Sequence, residues 1–200
     1  MKPVDVTFSS MAFYLVFSDY SLGRQMKKIS LVCFSLLVIF MSSYVKSAVS
    51  DPMTLYSAAF KNHDLLAPLY TCDGKNISPE LHWKNIPTKT QSFALIVTDP
   101  DAPSGTFYHW VVYNIPINAK ALPRDSRHLP PSAVAGKNSW GSLQYNGPCP
   151  PKGSTHTYIF TLYAVDVNLN ILSGMEGEAI LKVLINHVLE KNILTARYGR

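Results

Sequence analysis

Cysteine is scarce, charge is thin and a membrane-spanning apolar run is missing from this chain of 200 residues. With three cysteines and only 16% Asp, Glu, Lys and Arg, the fold has to come from an apolar core and not from staples, and a domain of about 150 residues is large enough to bury one. The longest largely apolar stretch, Ile29 to Met41, is thirteen residues, short of the roughly 20 that a spanning helix needs. No basic stripe or aromatic-interleaved Arg/Lys cluster is present, which removes the main support for nucleic-acid binding. No internal repeat, low-complexity tract or long linker divides residues 51–200, so one domain is expected there.

What is present begins with a targeting segment. Residues 26–50, MKKISLVCFSLLVIFMSSYVKSAVS, run from a dibasic start through the apolar stretch into small and polar residues, the layout of a secretory signal peptide. A permanent membrane anchor is the weaker reading of so short a run. Residues 1–25 read as an upstream mis-start segment with Met26 as the initiator; the alternative is a long, translated leading region. Cleavage after Ser47 or after Ser50 leaves a mature domain over residues 51–200, periplasmic or secreted. That domain holds thirteen of the 18 Lys+Arg and eleven of the 13 Asp+Glu, so its net charge is +2 where the whole chain carries +5.

Cys33 leaves with the signal. Cys72 and Cys149 remain, an even pair bound for an oxidising compartment, and both a disulfide and a pair of buried thiols are open for them.

Proline and glycine cluster at 99–105, 116–131 and 147–153, with short runs rich in Val, Ile, Thr, Tyr and Phe between them. This punctuation predicts an all-β sandwich of two antiparallel sheets. Ser92 to Thr98 is apolar almost throughout, as in a strand buried on both faces. In Tyr108 to Ile115 a two-residue period puts His109, Val111, Tyr113 and Ile115 on one face. In the next long strand the same period puts His156, Tyr158, Phe160 and Leu162 together. Ser173 and Glu176 have capping-box spacing ahead of a C-terminal amphipathic helix whose stripe is Ile180, Leu184 and Val188, with Leu181 and Leu189.

Two segments carry the chemistry. In TDPDAPSGTFYHW, residues 98–110, Asp99 closes one strand and His109 opens the next, with Asp101 in the proline-stiffened turn between them. In GPCPPKGSTHTYIFTLYAVD, residues 147–166, a Pro/Gly loop runs into His156 and Tyr158. Imidazoles, a tyrosine hydroxyl and loop N–H groups are donors suited to a small anion, and a carboxylate accepting from an imidazole favours the charged ring. Taken singly, Asp99 and Asp101 also read as ordinary turn residues, and Trp83, Trp110 and Trp140 as core or rim aromatics.

These two blocks, with YTCDGKNISPELHW at 70–83 and the terminal RYGR, closely resemble the phosphatidylethanolamine-binding protein family, in particular its bacterial branch, often called Raf kinase inhibitor-like. The resemblance covers nearly all of residues 53–200. It implies a two-sheet β-sandwich with a small anion pocket at one end for phosphate or a phospholipid head group. By motif position it places pocket residues on Asp99, Asp101, His109, Gly147, Pro148, Pro150, His156 and Tyr158. Two departures stand out: Thr157 stands where many relatives carry arginine, removing a cation from the rim, and the loop Ser104 to Phe107 is short.

The function expected is therefore that of an exported, non-catalytic binding protein for a phosphate-like anion or phosphorylated head group. It would have no cofactor and no nucleic-acid partner, and a protease or other extracellular protein is a further partner to consider. The alternatives are a metal-dependent hydrolase on Asp99, His109 and His156, a thiol-dependent one on Cys149, and an interaction domain with a vestigial pocket. The targeting reading is checked by the intact mass of the exported protein, expected to begin at Ala48 or Asp51; a mass that retains Met26 overturns it.

Overall fold

The alternation of apolar strands and Pro/Gly loops is realised as nine strands, one 3-10 turn and one α-helix in a computed structural model that describes residues 51–171 and 173–200. The segments read from the sequence as upstream start and signal peptide, residues 1–25 and 26–50, lie outside the described residues.

The strands are β1 (Thr54–Tyr56), β2 (Asp64–Leu65), β3 (Leu81–Lys84), β4 (Ser92–Asp99), β5 (Phe107–Pro116), β6 (Ala121–Leu122), β7 (Val134–Ala135), β8 (Thr155–Val165) and β9 (Val188–Gly199), with the helix α1 (Gly177–Leu184) before the last. They form a three-stranded sheet in the order β1-β3-β6 and a six-stranded sheet in the order β2-β9-β8-β4-β5-β7. Every pairing is antiparallel except the two-residue contact of β2 with β9, a departure from the purely antiparallel expectation.

The apolar run of β4 is explained by its surroundings. Phe93, Leu95 and Val97 share a core with Leu55, Leu81, Trp83 and Leu122 of the small sheet. Ala94 and Ile96 face the other way, into a second cluster with Ile180 and Leu184 of α1. A strand covered on both sides needs apolar residues at every position, and each fully buried Leu, Ile or Phe contributes about 1.5–3 kcal/mol of transfer free energy.

The helix differs from its sequence reading. It stops at Leu184, and Val188 and Leu189 begin β9. The residues from Val188 onward pair with β8 along almost its entire length, so the ladder captures them and the helix is not C-terminal. Nor does the capping box form: the Ser173 hydroxyl donates to the Ala135 carbonyl at 3.0 Å, and Glu176 occupies the N-cap without a side-chain bond.

Phase along β5 also departs from simple alternation. Val97 pairs with Trp110 but Thr98 with Tyr108, and Leu95 pairs with Val112 but Phe93 with Ile115. Each shift inserts an extra residue into β5, the second at Asn114, whose φ is 53°. Ile115 therefore joins the core with Trp110 and Val112, instead of the face of Val111 and Tyr113.

Phe160, fully buried in the middle of β8, is expected to cost about 3–5 kcal/mol when replaced by Ala. Ile193→Ala on the neighbouring strand, where the residue is 46% exposed, should cost less than about 1 kcal/mol. Urea unfolding followed by circular dichroism reads both.

Candidate functional site

Strand order assembles the site. β4 lies between β5 and β8, so Asp99, at the end of β4, comes to rest between His109 of β5 and His156 of β8. His109 is the extra residue of the first β5 shift, skipped between the pairs of Trp110 and Tyr108. Such a bulge re-aims a side chain, and it puts His109 edge-on to Tyr158 at 5.1 Å between ring centroids.

All three polar residues are buried: Asp99 and His109 are 3% exposed and His156 is 8% exposed. His156 donates from Nδ1 to Asp99 Oδ2 at 2.8 Å, while the other oxygen, Oδ1, accepts the backbone N–H of Asp101 at 2.8 Å. Asp101 in turn accepts the N–H of Thr157 through Oδ2 at 2.7 Å, pinning the turn to the start of β8. His109 bonds from Nδ1 to the Asn146 carbonyl at 2.7 Å; a carbonyl only accepts, so Nδ1 carries the proton and Nε2 is the free nitrogen. Burial is the main cause that holds the His109 pKa below its ordinary 6.5, against the opposing pull of that carbonyl and of Asp99. The neutral ring is thereby favoured at His109, which bonds a carbonyl and not a carboxylate.

These groups line a cavity of about 180 Å³ together with Phe107, Trp140, Cys149 and Pro150. That is smaller than the roughly 300–1,000 Å³ of drug-sized ligand sites and suits a phosphate-sized group. Larger hollows lie elsewhere, about 320 Å³ beside Tyr108 and the start of α1 and about 490 Å³ against Leu181 and Ile185, and neither contains a histidine–carboxylate pair.

Of the eight residues read from the sequence, Asp99, His109, Pro150 and His156 meet in the cavity wall. The others shape it from behind. The Tyr158 hydroxyl is buried without a hydrogen-bond partner; burial first, then the charge of Asp99 nearby, pushes its pKa well above the ordinary phenol value, although the two make no bond of regular geometry. The Gly147 N–H is taken by Asn76 Oδ1 at 2.7 Å, and a Cβ there would come within 2.1 Å of the Tyr70 carbonyl oxygen, so this glycine serves close packing and does not offer its amide to an anion. Pro148 accepts the Cys72 N–H at 3.1 Å. Cys72 and Cys149 are bonded, with Cα atoms 5.4 Å apart. In the bonded state Cys149 has no thiolate to act as a nucleophile, which weakens the thiol-hydrolase alternative. Among the described residues no three His, Cys, Asp or Glu converge as a metal-binding group.

The sequence reading missed three contributors. Trp140, half-exposed, stands edge-on to both His109 and Phe107 at 5.1 and 4.6 Å. Its loop is organised by buried Asn138, which accepts the N–H groups of Trp140 and Ser142 and donates to Asn146 Oδ1 at 2.8 Å. Arg200, just past the end of β9, reaches the cavity-lining Cys149 at Sγ, 3.4 Å away, and is held by Asp73 at 3.1 Å. The Asn138–Gly141 spacing marks a turn, but nothing in it indicates contact with a histidine thirty residues earlier.

The family model for phosphatidylethanolamine-binding protein matches residues 56–199. The chain belongs to this family. A UPF0098 protein of Methanothermobacter thermautotrophicus is 43% identical over 151 residues, which cover 74% of this chain and 99% of the relative. The crystal structure of Escherichia coli YbcL, described as a new member of the mammalian PEBP family, superposes with a TM-score of 0.72 at 32% identity over 75% of this chain and 99% of that one. A PEBP homologue from Chlamydia trachomatis gives 0.70 at 34% identity, covering 76% and 99%. The mostly β build with two sheets and one helix is thus the build of phosphatidylethanolamine-binding proteins.

As a buried imidazole in this phosphatidylethanolamine-binding protein family member, His109 should titrate below 6.5 by imidazole NMR. The unfolded chain then binds this proton more tightly than the folded one, so the stability His109 contributes is complete above about pH 6.5 and is lost as the pH falls toward its folded pKa. His109→Gln should reduce that acid-side slope in a urea series from pH 7 to 5.

Proposed function

We propose that this chain is an exported, non-catalytic binding protein whose strand-end pocket takes phosphate or a phosphorylated head group. The supporting observation is the arrangement of Asp99, His156 and His109 in one cavity of about 180 Å³, with both imidazole Nδ1 atoms already engaged. Each ring therefore has only Nε2 left for a ligand. A proton added to His156 goes to Nε2 and makes it a charge-assisted donor, with Asp99 as the counter-charge beneath it. Neutral His109 offers a lone pair at Nε2, which accepts from a ligand O–H. A singly protonated phosphate or phosphomonoester supplies both an oxygen for the first ring and a hydroxyl for the second.

Size limits the ligand. The cavity holds a head group and excludes acyl chains, which would have to lie outside along Phe107 and Trp140. An interior built from one carboxylate and two imidazoles carries little net charge, so affinity depends on hydrogen-bond geometry and protonation more than on electrostatic attraction.

Isothermal titration with phosphate and phosphoethanolamine tests the reading. Binding should weaken as the pH rises from 6 to 8, because a phosphomonoester loses over that range the proton that neutral His109 accepts. His109→Ala and His156→Ala should each lower affinity at least about tenfold, which is about 1.4 kcal/mol, with the circular dichroism spectrum retained. Absence of binding at millimolar ligand, or variants that bind like the wild type, would sink the anion reading and leave an interaction domain.

A further inference from the structure

The disulfide is not needed to bring its own segments together. Residues 70–76 and 145–149 are already tied by the Tyr145 hydroxyl on the Tyr70 carbonyl at 2.8 Å, the Gly147 N–H on Asn76 and the Cys72 N–H on Pro148. Both cysteines are nevertheless exposed, and Cys149 lines the same cavity as Pro150 and His156. The two sulfurs have unequal surroundings. The Arg200 guanidinium stands 3.4 Å from Cys149 Sγ, fixed by Asp73 Oδ2, which also accepts the Tyr198 hydroxyl at 2.6 Å. A cation beside a sulfur stabilises its thiolate and makes it the better leaving group in exchange.

We infer that Cys72–Cys149 is an exchange-active disulfide, open to a dithiol reductant at Cys72, and that its state sets the position of the pocket wall. An incoming thiolate attacks Cys72 Sγ; the Cys72–Cys149 bond breaks, and its electron pair leaves on Cys149 Sγ beside Arg200. The second thiol of the reagent, deprotonated, then attacks its own sulfur in the mixed disulfide and releases the Cys72 thiolate. The reagent is oxidised to its disulfide by two electrons, and the two protons it gave up are taken by the cysteines according to pH. The fold survives, because the three hydrogen bonds between the segments remain. The wall from Gly147 to Gly153, however, loses its covalent tether and gains a thiolate next to His156. Weaker anion binding in the reduced form rests on the function proposed above; the exchange itself does not.

Two measurements separate these claims. The native, oxidised protein is reduced with dithiothreitol at pH 7, quenched with acid and followed by mass spectrometry. The rate should be independent of low denaturant, fall about three- to tenfold in Arg200→Gln and recover in part in Arg200→Lys. Glutathione should be trapped on Cys72 in peptide maps. A rate that tracks global unfolding, no change in Arg200→Gln, or an adduct on Cys149 would overturn the exchange site. Phosphate titration of the Cys72→Ser/Cys149→Ser protein should then show at least about fivefold weaker binding than the oxidised wild type. Equal binding overturns the coupling to the pocket, whereas an oxidised wild type that binds no phosphate overturns the anion reading and leaves the exchange result standing.

Discussion

Burial of β4 on both faces is the constraint on which the rest depends. Its side chains Phe93, Leu95 and Val97 enter one core and Ala94 and Ile96 the other, so the strand can only be central, with β8 on one side and β5 on the other. A central strand ends between its neighbours' ends. Asp99, the last residue of β4, is thereby delivered between two histidines that lie 47 positions apart in the chain. The polar site is a consequence of the apolar packing behind it.

Within that frame, local irregularity does the aiming. Ordinary pairing would leave His109 opposite a residue of β4; the inserted position turns it toward Tyr158 and the cavity instead. The two imidazoles then fall into different electrostatic settings. His156 has a carboxylate as its Nδ1 partner, and His109 has a backbone carbonyl and a ring of aromatics. One partner is a carboxylate and the other a neutral dipole, so the same residue type meets two different settings in one small cavity.

The loops around the cavity are held by side chains that never face it. Asn138 organises the turn that carries Trp140, Asp101 ties the 99–105 turn to Thr157, and Asn76 occupies the Gly147 amide. Loops tied down by such bonds need little further ordering to hold the cavity wall in place.

Much of this was legible in the residues. The unbroken apolar run of Ser92 to Thr98 already meant a strand covered on both faces, and the alternation from His156 to Leu162 already put His156 and Tyr158 on one side. Asp99, His109 and His156 could be chosen because polar residues at strand ends beside proline turns are legible locally, whereas Pro150 came from the family resemblance. The capping box and the long helical stripe misled, because Val188 and Leu189 suit a strand as well as a helix and only the presence of β8 alongside decides between them. The bulge at His109 and the phase change at Asn114 depend on pairing with β4, which no window along one strand contains. Trp140 reaches the site from a distant segment, and Arg200 reaches the disulfide, so their parts exist only once the sheet has closed. By itself the sequence determined the long strands β4, β5 and β8, the apolar core and the chemical types available for a site, since these follow from side-chain polarity and its period. Only the tertiary structure decided which nitrogen each imidazole keeps free, how large the cavity is and which cation stands beside the disulfide, because each is set by contacts between residues far apart in the chain.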